Sequence, residues 1–157
     1  MKILVCTDGS EHSKRAVEKA YSIAVGCSDV DVAVIHVYEK KPEFPYLPDY
    51  EIGSVTKDNV STEDLKKFEN MKKQFEEERQ RIVDEAAEVF ESKGMKVRKI
   101  LLEGHPSETI LGVAAKEGSD MIVIGSRGLG GLKKLFLGSV SNAVIQQAKD
   151  CIVSVVK

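Results

Sequence analysis

Apolar residues are arranged along the chain in two rhythms. Short unbroken runs rich in Val, Ile and Leu alternate with stretches whose apolar positions recur every three or four residues. Lys2 to Thr7 (KILVCT) is such a run and predicts a buried strand. Ala16, Val17, Ala20, Tyr21 and Ala24 then share one helical face, with Ser10 or Ser13 placed to cap that helix and Gly26 placed to end it. Asp31 to Tyr38 (DVAVIHVY) predicts a second strand. The rhythm then breaks. Residues 39 to 61 carry Pro42, Pro45, Pro48 and Gly53 with no sustained period, and read as a variable loop or insertion.

Thr62 to Lys93 predicts a long charged helix ended by Gly94. Leu65, Phe68, Met71, Phe75, Ile82, Ala86 and Val89 form its apolar stripe. Arg79 interrupts the stripe, so it is not a clean heptad seam; the stripe suits either packing on a sheet or a partner. Lys96 to Leu102 predicts a third strand. Pro106 to Lys116 predicts a third helix, with proline in its first turn and Gly118 beyond its end. Met121 to Ile124 is a fourth strand, Ser139 to Ala148 a fourth helix, and Cys151 to Val156 a fifth strand. Strands alternating with helices imply an α/β fold: a doubly wound, Rossmann-like parallel sheet of five strands with helices on both faces. The near-continuous apolar strands agree with burial on both sides. No fixed-period repeat divides the chain, and its 157 residues favour one domain.

Composition narrows the function. Lys and Arg number 23 against 25 Asp and Glu, so the chain lacks the basic excess that wraps nucleic acid or an anionic membrane. No apolar run approaches the roughly 18 residues of a membrane span. The first residues do not form a secretory signal, because Asp8 interrupts a short apolar stretch. A cytoplasmic protein is expected. Cys6, Cys27 and Cys151 have no CxxC spacing and form neither a disulfide framework nor a zinc site. Cys6 and Cys151 sit in apolar runs and read as small buried hydrophobes. His12, His36 and His105 lie in separate elements without metal-ligand spacing.

In an open parallel sheet, ligands bind past the carboxyl ends of the strands, where strand order reverses. Strand one runs into Thr7-Asp8-Gly9-Ser10 and strand four into Gly125-Ser126-Arg127-Gly128. In the order 3-2-1-4-5 these two turns would share one cleft. Four glycines fall between residues 125 and 131, and Gly138-Ser139 opens the next helix. Free N–H groups at that helix start make an anion site suited to phosphate, with Arg127, Lys133 and Lys134 nearby. The alternative is a plain connecting loop. The spacing is not a P-loop, since Gly130 is followed by Gly131 and Leu132. Asp8 either meets ribose hydroxyls or a divalent cation, or caps helix one. No GxSxG or Cys–base pair supports nucleophilic catalysis.

Several segments, in order, resemble the universal stress protein family over nearly the whole chain. KILVCTDGS is similar to its first strand and Asp turn, VIHVYE to its second strand, and GHPSETI to its Gly-x-Pro helix start. Gly125-x2-Gly128-x9-Gly138-Ser139 matches the G-x2-G-x9-G-[ST] signature of the branch that binds ATP. The resemblance implies the strand order 3-2-1-4-5, ATP with Mg or Mn as ligand, and a homodimer paired through the last strand, Cys151 to Val156. It implies that Thr7 and Asp8 lie near ribose and adenine and that the backbone of Val37 reads the adenine edge. Gly125, Ser126, Arg127 and Gly128 would cover ribose and phosphates, and Gly138, Ser139, Val140 and Ser141 would cradle the triphosphate. Any metal would sit mainly on the phosphates, with Asp8 the one protein group in view. Ile152 and Ser154 stand where the family usually has Pro and Leu. Three functions follow: a nucleotide-dependent regulator with an unnamed protein partner, a slow ATPase or phosphotransferase on the same pocket, or an interaction module in which nucleotide is incidental. Asp8 is the only candidate to orient a water, so turnover is expected to be slow at most.

Overall fold

The computed structural model describes residues 1–39, 62–129 and 137–157. In chain order the elements are β1 (Lys2–Cys6), α1 (Glu11–Val25), β2 (Asp31–Tyr38), α2 (Thr62–Glu91), β3 (Val97–Glu103), α3 (Pro106–Glu117), β4 (Met121–Gly125), α4 (Ser139–Gln147) and β5 (Ile152–Val156). The strands form one sheet in the order β3-β2-β1-β4-β5, every pair parallel. The expected insertion lies, apart from Glu39, outside the described residues, as do Gly130, Gly131, Lys133 and Lys134.

Burial on both faces explains the unbroken apolar strands. Ile3, Val5, Val32, Val34 and Val123 meet Ala16, Val17, Ala20 and Phe90 of α1 and α2. On the other face Leu4, Cys6, Ala33, Ile35, Ile122 and Ile124 meet Ile110 and Ala114 of α3 and Val144 of α4. The central strands β1 and β2 therefore carry no polar face, because neither side meets water. The edges differ. β3 has no fully buried residue and exposes Arg98, Lys99, Leu102 and Glu103, and β5 opens on Ile152, which is 60% exposed.

α2 departs from the expected stripe. Its buried residues are Val83, Ala86, Ala87 and Phe90, while Met71 and Phe75 are exposed. Thirty residues span about 45 Å at 1.5 Å each, against roughly 26 Å for the eight residues of β2, so only part of α2 can lie on the sheet. The carboxyl-terminal part does so, with Tyr21 edge-on to Phe90 at 5.9 Å. Cys6 is buried as expected, and burial, with Asp8 adding to it, pushes its thiol up to about 12. Cys151 is corrected on two counts: it is only partly buried and precedes β5. It sits at the sheet edge, where one side has no strand to cover it.

Two helices end on left-handed glycines. Gly118 has φ +63°, and the N–H groups of Gly118 and Ser119 close onto Ala115 and Ala114 carbonyls at 3.3 and 2.9 Å. Gly94, at φ +79°, ends α2 the same way, with Gly94 and Met95 donating to Glu91 and Phe90. These pairs satisfy helix carbonyls that would otherwise lack donors. Among the described residues no helix is long and apolar enough to cross a membrane.

Candidate functional site at the carboxyl end of the sheet

The sheet order places β1 beside β4, with β2 on the far side of β1. The turns that leave β1 and β4 therefore adjoin. Thr7 still holds the sheet: its N–H donates to the Ile35 carbonyl at 2.9 Å, and its own carbonyl meets His36 Nδ1 at 2.9 Å. Its buried hydroxyl lies 3.4 Å from Ser13 Oγ and accepts from Gly9 N–H at 3.3 Å. Beyond Thr7 the chain leaves the sheet. Alternation along β2 turns the N–H and C=O of Val37 the same way as those of Ile35, toward the side that β1 has just vacated. The main chain of Val37 thus lies at the same sheet end, on the β1 side of β2.

Asp8 joins the two turns. Its Oδ1 accepts from Ser10 N–H at 3.0 Å and Ser10 Oγ at 2.6 Å, and its Oδ2 accepts from Leu129 N–H at 3.2 Å. The helix-cap reading of Asp8 gives way here, because Ser10 is the N-cap of α1 and accepts from Ser13 N–H. Asp8 instead makes an Asx-type turn, which its short side chain allows. Ser10 Oγ also lies 3.4 Å from the Arg127 carbonyl.

The β4 turn fits closely against these groups. A Cβ at Gly125 would stand 2.7 to 2.9 Å from the main chain of His12 and Ser13, and one at Gly128 would fall on Asp8 Oδ2. Both positions need glycine for space. Ser126 is buried; its N–H donates to the Val156 carbonyl at 2.6 Å, and its carbonyl accepts from Gly138 N–H at 2.7 Å and Ser141 Oγ at 3.1 Å. The Ser141 hydroxyl is thus spent on the main chain, so that residue shapes the helix start from below. Gly138 is the N-cap of α4, and no side chain caps that helix. The first N–H groups of α4, from exposed Ser139 through Val140, are turned outward at its positive end. Among the described residues the buried Arg127 Nε has no hydrogen-bond partner. An orphaned cationic donor beside an uncapped helix start is costly unless an anion meets it.

The structure gathers Thr7, Asp8, Gly125, Ser126, Arg127, Gly128, Gly138, Ser139, Val140 and Ser141 at one place, with Val37 one strand away. Ser10, read from the sequence only as a candidate cap, proves to contact both turns; the signal was the Asp-x-Ser spacing of an Asx turn. Two open hollows lie elsewhere, one of about 600 Å³ near Asp31 and Gly94 and one of about 750 Å³ between α1 and α2. Both are open to solvent, and neither is lined by residues of the two turns. Among the described residues no group of three His, Cys, Asp or Glu stands close enough to hold a metal. A cation would fit here through phosphate oxygens rather than through a protein cage.

A doubly wound parallel sheet in the order β3-β2-β1-β4-β5, with the turns after β1 and β4 meeting at its switch point, defines the class as Rossmann-like α/β proteins. The universal stress protein family matches residues 1–157, and the chain belongs to that family. Universal stress protein YxiE of Bacillus subtilis is 32% identical over 163 residues, covering 99% of this chain and 98% of that protein. Universal stress protein MJ0577 of Methanocaldococcus jannaschii is 33% identical over 153 residues, covering 94% and 89%. The solved structure of MJ0577 has a TM-score of 0.72 at 30% identity, covering 99% of this chain and 94% of that one. A universal stress protein solved in complex with cAMP (TM-score 0.64, 24% identity, coverage 100% and 97%) has the same fold. So has one from Archaeoglobus fulgidus in complex with dAMP (TM-score 0.63, 22% identity, coverage 100% and 98%).

Proposed function

We propose that the chain binds ATP in this cleft and acts as a cytoplasmic, homodimeric regulator whose nucleotide state is the signal. The observation that carries the reading is the buried, unpartnered Arg127 Nε beside the uncapped start of α4. Together they offer one guanidinium donor and a set of main-chain N–H groups to phosphate oxygens. Gly125, Ser126 and Gly128 let the loop approach ribose and phosphates, and Gly138, Ser139, Val140 and Ser141 form the cradle. Thr7 and Asp8 stand by the ribose, and the outward-turned main chain of Val37 reads the adenine edge. The family members solved with cAMP and dAMP hold ligands of the same adenine mononucleotide class. Magnesium or manganese, when bound, neutralises phosphate charge. Edge strand β5 supports pairing with a second copy: Ile152 spends its N–H on the Asp120 carbonyl within the sheet, and alternation turns the main chain of Val153 and Val155 to the open edge.

Calorimetry with ATP and magnesium tests the site. The wild-type protein is expected to bind, and Gly128→Ala to weaken binding at least about tenfold, because its methyl group displaces the Asp8 carboxylate. Ser139→Ala is expected to weaken it less, since the main-chain donors remain. Wild-type affinity in both variants would overturn this placement.

A further inference from the structure

We propose that Ser10 is a positioning residue that sets which ribose hydroxyl the site reads, by leaving Asp8 one acceptor position. The inference rests on the nucleotide reading above and deepens it. An ionised carboxylate has about four acceptor positions. Ser10 occupies two on Oδ1 with its N–H and its hydroxyl, and Leu129 N–H occupies one on Oδ2. One position on Oδ2 remains, and among the described residues no further bond occupies it; that is the position assigned to the ligand.

The consequence is a single hydrogen bond to the sugar. Asp8 cannot grip a 2′,3′-diol with both oxygens, as a free carboxylate could, because Oδ1 is full. It is also a poor bidentate metal ligand, for the same reason. The hydroxyl of Ser10 holds Asp8 at 2.6 Å, the shortest of the three contacts to that carboxylate, and Ser10 is itself 8% exposed and lies 3.4 Å from the Arg127 carbonyl. Rotation of the carboxylate would break both Ser10 bonds, so Ser10 fixes which oxygen faces the 128–129 turn. The sugar hydroxyl accordingly shares an oxygen with the Leu129 amide. That links ribose recognition to the position of the β4 loop.

The test is calorimetry of the full chain with ATP, 2′-deoxy-ATP and 3′-deoxy-ATP, all with magnesium. The wild-type protein is expected to lose about tenfold in affinity with one deoxy analogue and little with the other, since one hydrogen bond to a charged acceptor is at stake. Ser10→Thr is expected to keep that contrast. Ser10→Gly is expected to abolish it while leaving α1 folded, because glycine is well tolerated at an N-cap. Equal losses with both analogues in the wild-type protein would overturn the single-acceptor assignment. A contrast that survives Ser10→Gly, or a parallel fall for all three ligands, would overturn the positioning role. No binding of any of the three by the wild-type protein would overturn the nucleotide reading itself, before any variant is made.

Discussion

The two ends of the same five strands are built on opposite plans. At the amino end, charges are paired. Arg98 reaches Asp31 at 3.2 Å and Glu117 at 2.8 Å, while Lys2 donates from its N–H to Asp120 at 2.7 Å and from Nζ to the Glu117 carbonyl at 2.8 Å. At the carboxyl end, Arg127 Nε is orphaned and α4 begins uncapped. The difference follows from parallel topology. Each crossover brings a helix C-terminus to the amino end and a helix N-terminus to the carboxyl end. Carbonyl-rich, negative helix ends meet Lys2 at one edge, and positive N–H-rich helix starts lie at the other. One end serves stability and the other keeps donors in reserve.

Three substitutions probe that division. Gly125→Ala has the largest expected effect. Its Cβ would stand 2.7 Å from the His12 carbonyl carbon, so the β4 turn and α1 must part, at a cost of about 3 kcal/mol. Urea melts and ATP calorimetry should both show a loss, because the displaced turn is also the ligand's floor. Stability unchanged within error would mean that the two turns are not tightly apposed. Gly118→Ala acts at the other end, where φ +63° disfavours a side chain, and should cost about 1 kcal/mol with ATP affinity unchanged. A parallel fall in affinity would show that the ends are coupled.

Arg98→Gln should matter least, below about 1 kcal/mol, because its ion pairs are largely exposed and screened. The effect has a pH signature. The Arg98 hydrogen bond holds the Glu117 carboxyl below its usual range. A depressed carboxylate stabilises the fold above its unfolded value near 4.3 and loses that contribution as pH falls through the lower folded value. Melts of the two proteins should therefore differ at neutral pH and converge in acid. A gap that stays constant with pH would assign the effect of Arg98 to packing.

Much of the fold was legible because burial on both faces leaves a simple trace. Asp31 to Tyr38 reads directly as β2 since every residue from Val32 to His36 is buried. Edge strands left a weaker trace, and the start of β3 and of β5 each shifted by one residue. The stripe of α2 misled for a different reason. Periodicity reports which side of a helix is apolar, whereas burial depends on which part of it overlies the sheet, and that selected Val83, Ala87 and Phe90 over Met71 and Phe75. At the candidate site, residue types and spacing were sufficient to single out Gly125, Gly128, Gly138 and Ser139. They left Asp8 open between a cap and a ligand, because a side chain that can bond its own turn or a distant one has the same letter in either case.

What the chain's letters determined alone was local and periodic: strand and helix order, the glycine spacing and the balance of charge. These depend on a residue and its near neighbours. The tertiary structure decided everything that depends on two distant segments meeting. It set the Asp8 carboxylate against the Leu129 amide, 121 positions away, it left the buried Arg127 Nε without a partner among the described residues, and it placed Gly128 against the Asp8 carboxylate. Such facts arise only when β1 and β4 become neighbours, since hydrogen bonding and exclusion act over a few ångströms of space, whatever the distance along the chain.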